Sequence, residues 1–298
     1  MDHLKEFRNY LIEQGRSENT VNAYCRDIEL YARWFEQANH RTFEPSLLVA
    51  PDLREYRTHS LDVERVSAVT WNRRRASLKV FSGWAHGQGL ITGDPLIGVE
   101  PMAIEELPPY WLTAKEFRDF RRQLDIEVNT ARTEAWKQRA IRDRAMAALM
   151  LYAGLRSSEV VALQTGDIEI REKSGAVRIR HGKGDKSAEQ KIGREARLAL
   201  QEWMIVRSDR IILFPGDKQE EPITTRQLER RLKAIAERAG IQDFWPHRLR
   251  HVYIRQLLVE KHVPLPWVQK LARHSRMTTT ARYGQAGNED LALAVEDL

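Results

Sequence analysis

DIEIREKSGAVRIRHGKGDKSAEQKI, residues 167–192, is where the apolar period of this chain drops to two: Val177 and Ile179 alternate with Arg178 and Arg180. Side chains on a strand point alternately to opposite faces, so this spacing predicts strands with one buried face. The segments EKSG and HGKGDK supply the turns, and a small antiparallel sheet of three strands follows. Around it the apolar residues recur at three and four, the helical period. The fold class is therefore mainly α with one small antiparallel sheet.

Upstream, Leu4, Phe7 and Leu11 form one helical stripe, and Val21, Tyr24, Ile28, Tyr31 and Phe35 form a longer one behind the N-cap Ser17. A shorter helix is expected near Pro51, since proline is tolerated in a first turn. In SAVTWNRRRASLKVFSGWAHGQG, Trp71, Leu78, Phe81 and Ala85 share one face while Asn72, Arg75, Lys79 and Ser82 share another. A basic, amide-bearing front can enter a DNA major groove, where Arg and Asn read base edges and Lys meets phosphate. The same face also reads as an ordinary solvated surface, and the sequence leaves both readings open.

Residues 94–112 combine Gly, Pro and acids without periodicity and carry the break between two domains, with 1–100 as a helical domain, 101–111 as linker and 112–298 as a second domain. The second domain opens with a helix capped by Thr113, with Phe117 and Phe120 inward, and continues into AIRDRAMAALMLYAGL, apolar enough to be buried. Residues 126–137 are polar and read as loop or exposed helix. Helix resumes at Thr224, and Leu291, Ala294, Val295 and Leu298 make an apolar stripe on a last short helix.

The net charge of +6 and pI near 9.4 suit a phosphate-bearing partner. Its distribution is uneven: residues 1–106 hold 13 Lys and Arg against 16 Asp and Glu, the remainder 35 against 26. Cys25 is the only cysteine, which excludes an internal disulfide and a cysteine metal cluster. The longest apolar run, Ala145 to Leu155, is too short to span a bilayer, and MDHLKEF has no signal-peptide core. A cytoplasmic, nucleoid-associated protein with no membrane partner is expected.

Four segments supply cationic or nucleophilic groups. In LYAGLRSSEV, Arg156 follows a helix end at Gly154, with Glu159 placed to orient its guanidinium. Lys183 stands between glycines at a predicted hairpin tip, with Lys186 as a competitor for its role. In FWPHRLRHVYIRQLL, Pro246 opens a helix that sets His247 and Arg250 one turn apart. His247 and His251 also have zinc-pair spacing, but Arg248 and Arg250 stand where a hydrolytic zinc helix offers a glutamate, so no metal site is assigned. His274 precedes Tyr283 by nine residues.

Together these segments resemble the tyrosine recombinase (phage integrase) family, its short Xer-type members above all. The matching positions are Gly154-Leu155-Arg156-Ser157-Ser158-Glu159, Gly182-Lys183-Gly184, His247-Arg248-Leu249-Arg250, and His274 with Tyr283; SENTVNAYCRDIELYARWF is similar to the second helix of the family's core-binding domain. Two positions depart: Arg273 stands where the family usually has glycine, and Val252 where threonine is common. The resemblance implies a SAM-like core-binding domain before a mixed α+β catalytic domain. It implies a site-specific recombinase that cuts and rejoins DNA through a 3′-phosphotyrosyl intermediate, in Xer-like resolution or in integration and excision of a mobile element.

By the same resemblance Tyr283 is the nucleophile, Arg156, Arg250 and His274 hold the phosphate, His247 takes the tyrosine proton and Lys183 protonates the leaving 5′ oxygen. No cofactor is expected. The partner is double-stranded DNA with paired inverted sites, bound by a homotetramer on two sites that is monomer or dimer when free, with room for a partner recombinase. The final apolar helix would dock on a neighbour. A type IB topoisomerase and a catalytically silent DNA-binding regulator are the alternative readings.

Overall fold

The computed structural model describes residues 2–104, 110–180, 187–216 and 221–274, with Met277 and Thr280. The chain divides into two compact units, 1–106 and 107–298.

In the first unit, α1 (Asp2–Glu13), α2 (Glu18–Asn39), α3 (Ala50–Thr58) and α4 (Ala68–Gly87) surround an aromatic-rich core. The caps are those the sequence announces: the Ser17 hydroxyl accepts the Thr20 N–H at 3.3 Å, and Pro51 sits in the first turn of α3. Phe7, Leu11, Tyr31, Phe35, Trp71 and Leu78 are fully enclosed. At roughly 1.5–3 kcal/mol for each large apolar side chain removed from water, this cluster outweighs any surface ion pair of the unit.

The polar face of α4 is put to internal use. Arg73 pairs with the buried Asp27 of α2, which also accepts from Ser77 at 2.7 Å. Arg74 is buried, donating to Glu64, to Ser60 at 3.2 Å and to Tyr56 at 3.3 Å. Arg75 donates to the Val99 carbonyl. Asn72 clasps Met102 through both amide groups, donating to its carbonyl at 2.8 Å and accepting its N–H at 2.7 Å. Ser82, grouped above with the basic front, is buried. These contacts lay the chain from Leu96 to Met102, the end of the expected first domain and the start of the expected linker, against the first unit, where Leu96 and Val99 join its core.

The second unit starts by packing Leu112 inward. Its elements are α5 (Ala114–Asn129), α6 (Glu134–Ala153), the short α7 (Ser157–Val161), strands β1 (Ile168–Ile170), β2 (Gly175–Ile179) and β3 (Ala188–Lys191), then α8 (Arg194–Val206), α9 (Thr225–Arg238), α10 (His247–Arg255) and α11 (Leu265–Ala272). The strands pair antiparallel in the order β1-β2-β3, with Val177 opposite Ile168 and Gln190. Val177 and Ile179 are buried and Arg178 exposed, as the alternation predicts. Thr113 and Glu116 close a reciprocal cap on α5, and the polar stretch 126–137 divides between the end of α5 and the start of α6. α8, for which the spacing gave no expectation, packs against α6 through Ala196, Leu200 and Trp203. Among the described residues no helix is long and apolar enough to cross a membrane.

α6 is buried nearly all round from Ala145 to Ala153 and ends at Gly154, in the left-handed conformation with φ +63°. There the chain turns sharply into Arg156, and the face of Gly154 lies against the Tyr253 ring so closely that a methyl group would overlap it. Both the positive φ and the contact demand glycine. Gly154→Ala should cost about 2–4 kcal/mol, the sum of left-handed strain and overpacking, read by urea unfolding of the intact chain; a loss below about 0.5 kcal/mol, the scale of ordinary surface substitutions, would contradict this account of the turn.

Candidate active site

Arg156 sits at the N-cap of α7, with its side chain a third exposed. Glu159, three residues on and buried, reaches back to it twice: Oε2 accepts the Arg156 backbone N–H and Oε1 accepts its Nη1, both at 2.8 Å. The carboxylate thus meets both the backbone and the guanidinium of Arg156 across one turn of helix. A third donor reaches the same group, Nη2 of Arg273 at 2.6 Å from Oε2. Burial pushes the Glu159 carboxyl up, but Arg273 and the Arg156 contacts outweigh it and hold the group below the usual carboxylate range.

Arg250 projects from the first turn of α10 into the interior and is fully enclosed. It donates to the Gly154 carbonyl at the end of α6 and to the Ala272 carbonyl at the end of α11. It thereby ties together the two chain ends that flank the site. His247, one turn earlier, keeps an open edge to solvent, and its ring meets that of His251 edge-on with centroids 4.7 Å apart. His274 follows α11 and pairs through Nδ1 with the Thr280 hydroxyl at 2.9 Å. Among the described residues no group of three or more His, Cys, Asp and Glu side chains is arranged to hold a metal.

The three histidines share one electrostatic environment. Crowding by the protein pushes His247 down to about 4, helped by the charges of Arg250 and Arg156. The same order of causes brings His274 to about 4. His251 falls to about 3 through burial and then the neighbouring His247 and Arg250. All three are neutral near pH 7, able to accept a proton or to offer an N–H without adding charge.

Arg248, between the two site residues of α10, faces away from them. It is fully buried, lies 4.1 Å from the Tyr110 ring centroid and 5.5 Å from that of Trp245, and donates to the Trp111 carbonyl at 3.0 Å and to Glu116 at 3.3 Å. The segment entering the second unit is thereby fastened to the helix that carries His247.

A groove of ≈ 970 Å³ opens beside Arg156 and His247, walled by the start of α9 with Thr224, Arg226, Arg230 and Lys233. Arg226, Arg230 and Lys233 lie on one helical face at spacings of four and three, a periodicity visible in the sequence yet assigned no role above. The sequence offers Asn72, Arg75 and Lys79 as DNA contacts. Of these, Asn72 and Arg75 are engaged by Met102 and Val99, and Lys79 is exposed. Lys183, Lys186, Tyr283 and the expected final helix 291–298 lie outside the described residues.

Comparison with known proteins yields two family matches: the phage integrase family over residues 121–289 and the phage integrase N-terminal SAM-like domain over 4–89. Tyrosine recombinase XerC of Corynebacterium glutamicum is 31% identical over 282 residues, spanning 93% of this chain and 84% of its own. Tyrosine recombinase XerD of Ralstonia nicotianae is 30% identical over 290 residues, spanning 94% and 88%. Among solved structures, the XerH site-specific recombinase on a palindromic difH substrate after cleavage superposes with TM-score 0.73 at 20% identity, over 92% of this chain and 78% of that one. A lambda integrase tetramer on a Holliday junction superposes with TM-score 0.71 at 16% identity, over 96% and 78%.

The histidine environment predicts a pH profile. Since kcat/KM reports the free protein's ionisations, its acid limb should fall near pH 4, the value of His247, and not near the ordinary histidine value of 6.5. Stability follows the same sign: the unfolded chain takes up protons that the folded histidines refuse, so the fold weakens as pH drops from 6.5 toward about 4. An acid limb centred near 6.5 would show that these histidines are not held neutral.

Proposed function

The chain belongs to the phage integrase family and is a site-specific tyrosine recombinase, and on that premise we propose that Tyr283 cuts DNA by attacking a phosphodiester in line, at a phosphate gripped beside Arg156. The tyrosine oxygen bonds to phosphorus as the bond to the 5′ oxygen breaks, leaving a 3′-phosphotyrosyl link that keeps the energy for rejoining. The tyrosine proton passes to His247, which is neutral and open at one edge, and Lys183 protonates the departing 5′ oxygen. Attack by a free 5′ hydroxyl then reverses each transfer and restores the tyrosine.

The observation that carries this reading is the convergence of Arg156, His247, Arg250 and His274, from three separate stretches of the sequence, on the end of one buried helix. As charge builds on the non-bridging oxygens, Arg156 donates paired hydrogen bonds and His274 a third, in a site where fixed cations act at low dielectric. Arg250, held behind them, contributes its charge. The groove beside Arg156 takes the DNA backbone, with Arg226, Arg230 and Lys233 on its phosphates; Lys79, exposed on the N-terminal domain, makes a DNA contact of its own.

The protein is proposed to work in the cytoplasm, on the nucleoid, as a homotetramer pairing two DNA sites, each built of inverted half-sites, with the final helix docked on a neighbour. A tetramer on a Holliday junction is known for lambda integrase, which shares this fold. The XerC and XerD relatives favour Xer-like resolution, and no cofactor is called for.

The cation cluster supplies the phosphate neutralisation that magnesium provides in many phosphoryl-transfer enzymes. A nicked suicide site should therefore yield a denaturation-resistant protein–DNA adduct in excess chelator. Tyr283→Phe should abolish the adduct while retaining DNA binding. A strict magnesium requirement, or an adduct that survives the substitution, would overturn the proposal.

A further inference from the structure

Arg273 occupies a position for which its backbone is poorly suited. It caps α11 at φ +52°, in the left-handed region that favours glycine, and glycine is the residue usual there in the family that the chain resembles. Its side chain turns inward rather than into water, and only 15% of it is exposed. Nε and Nη1 are buried without a hydrogen-bond acceptor among the described residues. A left-handed backbone and two buried donors that no described residue satisfies both oppose folding. Stability alone gives no reason for arginine here.

The one strong contact of Arg273 supplies a reason. Its Nη2 donates to Oε2 of Glu159, the same oxygen that accepts the Arg156 backbone N–H, while Oε1 takes the Arg156 Nη1. Glu159 and Arg156 alone would be a neutral pair, with the carboxylate cancelling the charge that must hold a phosphate. With Arg273 added, the carboxylate is divided between two guanidinium groups and the trio carries a net charge of one.

We propose that Arg273 is a positioning residue of the cleavage reaction: it takes up half of the Glu159 carboxylate and leaves Arg156 both fixed in direction and electrostatically available to the DNA phosphate. This rests on the reading of Arg156 as a phosphate ligand. Arg273 acts through Glu159 and needs no contact with DNA. Its effect belongs to the transition state, where negative charge grows on the phosphate oxygens, more than to ground-state binding.

The test compares wild type with Arg273→Gly and Arg273→Lys on a nicked suicide site, following Tm, DNA affinity and the single-turnover rate of adduct formation at saturating DNA. Arg273→Gly should keep or raise Tm, leave affinity within about twofold, and slow adduct formation roughly tenfold or more, the scale seen when a partner that orients a reacting group is lost. Arg273→Lys, which retains the charge, should recover part of the rate. A glycine variant that reacts as fast as wild type overturns the inference, and so does one whose rate loss comes with a fall in Tm, which would mark Arg273 as a structural tie. If wild type forms no adduct, or Tyr283→Phe still forms one, the reading of the whole site fails and this inference with it; a normal, Tyr283-dependent adduct with an indifferent Arg273 removes this inference alone.

Discussion

The site depends on keeping several cations together out of bulk water. Guanidinium groups so placed repel each other and lose hydration, a cost that must be met by partners in good geometry. Here one buried carboxylate, Glu159, meets it for Arg156 and Arg273, and two helix-end carbonyls, of Gly154 and Ala272, meet it for Arg250. Carbonyls orient a guanidinium without cancelling its charge, whereas a carboxylate does both. The site thus retains a positive field that adds to burial in holding His247 and His274 neutral.

That arrangement explains why the scaffold is built as it is. α6 has to be buried and has to stop abruptly, so that its last carbonyl and the following arginine emerge at one point; Gly154 against Tyr253 makes the stop. α10 then crosses that point, presenting His247 outward, Arg250 into the interior and Arg248 to the opposite side. Arg248 grips Tyr110, Trp111 and Glu116, so the chain entering the catalytic unit is fastened to the helix that carries the reacting groups. A shift of that helix by even an ångström would misdirect His247, and effects of that size matter for in-line transfer.

Much of this was legible in the sequence because it is local. Helical stripes, the caps at Ser17 and Thr113, the three strands with alternating Val177 and Ile179, and the Arg156–Glu159 pair all follow from spacings of two, three or four residues. What escaped depends on partners far along the chain. Asn72 and Arg75 read as part of a basic front, yet their partners Met102 and Val99 lie 30 and 24 residues away and turn both into internal ties. Arg248 and Arg250 look alike in HRLRH, but one secures the segment entering the second unit and the other ties the ends of α6 and α11. The inward turn of Arg273 was hidden too, because only the fold brings it to Glu159, 114 residues distant. Long, always-charged side chains are the ones whose direction a sequence pattern says least about.

The central claim is that this cation cluster serves a tyrosine nucleophile, and locating the covalent bond tests it most directly. The adduct formed on a nicked site would be digested with nuclease and trypsin, and the nucleotide-bearing peptide sequenced by mass spectrometry. Cleavage after Arg282 gives a peptide beginning at Tyr283. The account predicts a nucleotide joined through its 3′ phosphate to Tyr283; a nucleotide on any other residue, or a linkage through the 5′ phosphate, would contradict it.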